Sequence, residues 1–151
     1  MIPPHNIEAE AAVLSNVILD PDALLPIARE ILLPRDFFSR AHSLVYAAIL
    51  KLADEGRAID AVTVATQLRD NGDLRQSGGL PYVMEILNAA PACIERHLRE
   101  HCATVANYSK ARRLIRPLRR ALAELRHGED AADVLVKMTS KIDSIVARGA
   151  T

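Results

Sequence analysis

Tryptophan is absent from this 151-residue sequence, and three tyrosines and two phenylalanines are all the aromatic side chains it has. No stretch alternates apolar and polar positions with the β-branched and aromatic enrichment of a strand, so the pattern predicts an all-α protein. No uncharged apolar run approaches the roughly 20 residues of a membrane span. The opening Met1-Ile2-Pro3-Pro4-His5 lacks the basic-then-apolar order of a signal peptide. Cysteine is nearly absent too. Cys93 and Cys102 fall nine residues apart in one predicted helix, too distant to bridge, so the expectation is reduced thiols and a cytoplasmic setting. There is no G-x-x-x-x-G-K-[ST] run, which leaves ATP phosphates and Mg²⁺ without a cradle and predicts no cofactor in this chain. The serines are scattered without a glycine-rich elbow, which argues against nucleophilic catalysis. The paired carboxylates Asp54-Glu55 and Glu129-Asp130 fall at predicted helix ends, where solvent and capping account for them. Repeats and low-complexity segments are missing as well.

What is present is helical periodicity. Asn6 is a good N-cap, with Glu8 and Glu10 in the first turn of a helix whose inward face is Ile7, Ala11, Leu14 and Ile18. Asp20-Pro21-Asp22 restarts the chain as a second helix with Leu24, Ile27 and Ile31 inward; Pro26 is tolerable near its first turn. Phe37 and Phe38, in a turn after Pro34, read as core anchors. A third helix runs from Ala41 to Glu55 and stops at Gly56. Asp60 caps a fourth, which Asn71-Gly72 ends. Gly78-Gly79 delivers Pro81 to the first turn of a fifth, closed by Pro91. A sixth begins near Ala92 and reaches Leu125, with Pro117 expected to kink it.

The last third organises the rest. Two helices fold back through a break at His127-Gly128-Glu129-Asp130. The first carries Ala111, Leu114, Leu118, Leu122 and Leu125, the second Leu135, Met138, Ile142 and Ile145. Spacings of three and four make each set a narrow apolar stripe, and stripes joined by a short loop are expected to pair. A lone hairpin still leaves apolar surface wet, which predicts an assembly arm. The predicted architecture is a small helical globule, residues 1–91, followed by a long C-terminal helical hairpin, residues 92–148, with 149–151 a tail or the start of a linker. The interface expected to self-associate or meet a partner is Leu114, Leu118, Leu122, Leu125, Leu135, Met138, Ile142 and Ile145.

Zero net charge hides a division. Residues 1–100 hold nine Lys/Arg against fourteen Asp/Glu, a net of −5; residues 101–151 hold ten against five, a net of +5. The basic run Lys110, Arg112, Arg113, Arg116, Arg119 and Arg120 supplies candidate phosphate contacts. With only Tyr108 nearby for base stacking, a solvated or protein-facing surface is the plainer reading, and any DNA binding should be weak and indifferent to sequence. His97-Leu98-Arg99-Glu100-His101 matches the zinc-peptidase pattern H-x-x-E-H, and Cys93, His97 and His101 would share a helical face. No distant acidic ligand follows, so polar residues on an exposed helix remain the expectation, with no metal assigned.

Pro4-His5-Asn6-Ile7-Glu8-Ala9-Glu10 followed by Val13-Leu14 resembles the opening of the N-terminal domain of the bacterial replicative DNA helicase family, DnaB. The resemblance continues through Asp36-Phe37-Phe38, His42, Tyr46 and Ile49, then Gly56, Ile59-Asp60-Ala61-Val62-Thr63, Leu68, Gly72 and Leu74. Gly78-Gly79, Tyr82, Leu87, Pro91 and Arg112-Arg113-Leu114-Ile115 complete it. Order and spacing hold over nearly the whole chain. The resemblance implies a globule and a hairpin that pairs between protomers, in a collar on a hexameric ring that docks the C-terminal helicase-binding domain of primase. It implies a cytoplasmic, bacterial, replisome-associated module without catalysis of its own, ATP and Mg²⁺ belonging to the family's motor domain. DNA contact would be weak or indirect, and no membrane is involved. Two departures bear on the arm's register: about one extra helical turn between Ile94 and Ala106, and Pro117. A stand-alone DNA-binding or loader protein using the basic run 110–126 is the alternative. The helicase-binding domain of a primase shares the architecture, but the Pro4–Glu10 opening speaks against it.

Overall fold

The computed structural model describes residues 2–148; the expected tail at 149–151 lies outside them. Among the described residues all regular structure is helical: α1 (Ile7–Leu19), α2 (Pro21–Ile31), α3 (Arg40–Asp54), α4 (Ala61–Asp70), α5 (Gly79–Leu87), α6 (Glu95–Arg126) and α7 (Ala131–Arg148), with a 3-10 turn at Pro34–Asp36. Two compact units result. One is His5–Ala106; the other runs from Asn107 onward, with the N-terminal residues up to Pro4.

In the first unit the helix starts follow local chemistry. Asn6 accepts from the Ala9 N–H at 2.9 Å. Asp60 and Thr63 cap each other reciprocally, at 2.8 and 2.9 Å. Gly78 and Gly79 both hold positive φ, and a Cβ on Gly78 would lie 2.5 Å from the Tyr82 ring, so the turn before α5 requires glycine there. α3 is the centre: Val45, Tyr46, Ala48, Ile49 and Leu52 are buried against Val13, Leu14 and Val17 of α1 and Val64 and Leu68 of α4. Leu98, Cys102 and Val105, at helical spacing on α6, close this core. Burial pushes the Cys102 thiol up to about 12 and drives the Tyr46 phenol upward as well. The Tyr46 hydroxyl donates to the Leu32 carbonyl at 3.2 Å.

Several expectations change. Pro26 is the sixth residue of α2, beyond the orphan N–H groups of the first turn, so it removes one helical hydrogen bond; its ring is exposed. Phe37 is buried beside Tyr46, but Phe38 is partly exposed and stacks on His5, ring centroids 4.2 Å apart. α6 starts at Glu95 rather than near Ala92, which leaves Cys93 in the preceding loop. The Cys93 N–H instead donates to the buried Asn16 Oδ1 at 2.8 Å. Asn16 Nδ2 donates to the Ala12 carbonyl, so this amide ties the loop to α1.

Candidate assembly surface on the helical hairpin

The second unit is built on the C-terminal part of α6 and on α7. α6 ends in a left-handed glycine, Gly128, φ +84°. The Glu129 N–H reaches back to the Glu124 carbonyl and the Gly128 N–H to that of Leu125, the paired bonds that close a helix on glycine. Asp130 then starts α7 by accepting, through its carbonyl, from the Val134 N–H. Lys137 Nζ lies 3.7 Å from Glu124 and 3.5 Å from Glu129, and Arg120 Nε is 3.1 Å from Glu124. Pro117 sits inside α6 without ending it.

The two stripes expected from the sequence do not zip against each other. The seam is lined by Pro117, Ala121 and Glu124 on α6 and by Val134 and Met138 on α7, continuing to Ile145. Val134 and Ile145 are buried and Met138 and Leu114 half-buried. Leu118, Leu122, Leu125, Leu135 and Ile142 are 43–67% exposed. Val134 was missed because Val134-Leu135-Val136 is a run of three, and periodicity alone does not say which member faces inward.

The rotation of the stripes decides their use. At about 100° per residue, Leu118, Leu122 and Leu125 lie about a quarter turn from the seam positions of α6. Leu135, Ile142 and Val146 lie about a quarter turn from those of α7, in the same rotational sense. Antiparallel helices turned in the same sense present both stripes on one side. The hairpin thus has an apolar side, with Val146 a further exposed member. Arg116, Arg120, Lys137 and Lys141 are rotated the other way, onto the opposite side.

The basic run is not a uniform strip. Arg112 Nη1 donates to the Pro4 carbonyl at 2.9 Å, securing the N-terminal residues to α6. Lys110, Arg116, Arg119 and Arg120 are exposed and Arg113 is half-buried. Cys93, His97 and His101 line one hollow together with Asn6 and Glu8. Cys93 precedes the helix, and among the described residues no group of three or more His, Cys, Asp or Glu is placed to hold a metal ion. No helix among the described residues is long and apolar enough to cross a membrane.

The described residues thus form a helical core unit and a hairpin with one exposed apolar side, its polar groups engaged in caps and salt bridges. Residues 2–107 match the family model described as the DnaB-like helicase N terminal domain, and the chain belongs to that family. It is 41% identical over 135 residues to the replicative DNA helicase DnaB of Geobacillus stearothermophilus, covering 89% of this chain and 29% of that relative. To the DnaB of Mycobacterium leprae (strain TN) it is 36% identical over 132 residues, covering 87% and 21%. The crystal structure of the N-terminal domain of DnaB helicase from Mycobacterium tuberculosis superposes with a TM-score of 0.82 at 33% identity, covering 95% of this chain and 99% of that one. A DnaB-like replicative helicase solved for its interactions with primase shares the fold, with a TM-score of 0.68 at 24% identity, covering 94% of this chain and 31% of that one. The chain is thus similar to the N-terminal domain of replicative DNA helicases and spans under a third of the length of the curated relatives named here.

Proposed function

We propose that this chain is a non-catalytic collar module of a bacterial, cytoplasmic replisome, which self-associates through the apolar side of its hairpin and docks the C-terminal helicase-binding domain of a primase. The observation that carries this reading is the exposure of Leu118, Leu122, Leu125, Leu135 and Ile142 on one side of the hairpin. Monomers rarely leave so continuous an apolar strip in water. Each of these side chains is already partly covered, so finishing its burial contributes about 1 kcal/mol. Two copies together gain on the order of 10 kcal/mol, against an association cost of about 4–15 kcal/mol. Assembly is then close to balance and sensitive to single substitutions. ATP and Mg²⁺ have no role within this chain in this reading; they act in the motor domain of the family. DNA contact through Lys110 to Arg120 is weak and secondary, since only Tyr108 accompanies the charges and Arg112 is occupied by Pro4.

The test is a titration with a purified primase C-terminal domain, followed by light scattering. A complex whose mass exceeds the sum of one chain of each supports the reading. A mixture that scatters as two independent monomers contradicts it. Leu122→Asp, exposed and outside the seam, should abolish self-association; Met138 is the poorer choice because it also packs within the hairpin.

A further inference from the structure

The side of the hairpin turned away from the leucines carries a groove whose two walls bear the same charge. Arg116 and Arg120 stand on the α6 wall one turn apart, and Lys137 and Lys141 stand one turn apart on the α7 wall. Its floor is apolar and low on the α6 side, because Pro117 and Ala121 are short, and it is completed by Val134 and Met138. Arg120 and Lys137 are partly neutralised by Glu124. Arg116 and Lys141 line the same stretch of groove, and neither has a carboxylate partner among the described residues. Two cations held along one low-lying trough repel each other, and a carboxylate laid between them relieves that repulsion.

We infer that this groove is a docking site for an acidic amphipathic helix of a partner protein, one whose apolar stripe is flanked on both sides by Glu or Asp. A third helix laid between two antiparallel ones packs its ridge on the floor, with Met138 adapting to its shape. Carboxylates on either edge reach Arg116 and Lys141, with Arg120 and Lys137 beside them. Charge complementarity of this kind sets the choice and orientation of a partner. Two features favour a peptide over a nucleic acid. The floor offers apolar contacts that a sugar-phosphate chain cannot use. No aromatic ring lies along the groove to stack a base. The site is independent of the leucine side and of whatever covers it.

The experiment uses a fluorescein-labelled peptide with a leucine stripe flanked by glutamates, titrated with the whole chain at low ionic strength and read by anisotropy. The native chain should bind it. Arg116→Glu with Lys141→Glu should weaken binding roughly tenfold or more, since both contacts become repulsive. The same double variant should bind a matched peptide carrying lysine in place of glutamate, which a misfolded chain would not do. Leu122→Asp should leave the affinity of the acidic peptide unchanged. Failure of the native chain to bind, equal binding by native and double variant, or tighter binding of an oligothymidylate of equal charge would each overturn the inference.

Discussion

The two units of this molecule use their apolar residues in opposite ways. In His5–Ala106, five helices and the start of α6 bury an unbroken core around α3, and even its polar interior is fully engaged: Glu10 accepts from the Phe38 N–H at 2.7 Å, the Ser39 N–H at 3.2 Å and the His42 ring at 2.8 Å. Among the described residues from Asn107 onward only Val134 and Ile145 are buried apolar residues, while a longer set of leucines, isoleucine and valines stays in contact with water. One region spends its hydrophobic side chains on its own stability. The other leaves them exposed, the feature on which the proposed assembly rests. A substitution in the first should therefore change folding, and one in the second should change assembly.

The largest effect is expected at Glu10. Its side chain is 2% exposed, and Glu10→Ala strands two backbone donors and an imidazole nitrogen in the core. A loss of about 3–5 kcal/mol in urea unfolding follows. A loss below about 1 kcal/mol would mean that this node is not what orders the start of α3. The next effect is alkaline. The Cys102 thiol is raised to about 12 in the fold by burial, so the folded state keeps its proton after the unfolded chain has lost it. Stability is then fully present below the ordinary thiol value and declines as pH rises from about 9 toward 12. Cys102→Ala should flatten that decline, and circular dichroism across the range measures it. Smaller again is Asp60→Ala, which removes the reciprocal cap of α4 and should cost about 1 kcal/mol. The smallest folding effect belongs to the hairpin: Leu122→Asp or Ile142→Asp should shift unfolding by under about 0.5 kcal/mol.

Much of this division was legible in the sequence, because caps and breaks are local chemistry. Asn6, Asp60, Gly78-Gly79 and Gly128 specify their turns through atoms within a few residues. The stripes on α6 and α7 were legible as well, as spacings of three and four. Which flank each stripe occupies was not, since Val134, Leu135 and Val136 are equally apolar and only the partner helix chooses among them. The position of Cys93 depends on Asn16, 77 residues earlier, and no periodicity encodes a hydrogen bond of that span. Phe38 likewise looks like core until His5 is found stacked on it.

The contrast between a self-sufficient core and an unsatisfied hairpin rests most directly on the molar mass of the folded chain across a dilution series, measured for the native sequence and for Leu122→Asp. The expected result is a mass above one chain for the native protein, falling on dilution, and a single-chain mass for the variant with an unchanged unfolding midpoint. A native chain that stays monomeric at every concentration, or a variant that keeps the native mass, contradicts the account.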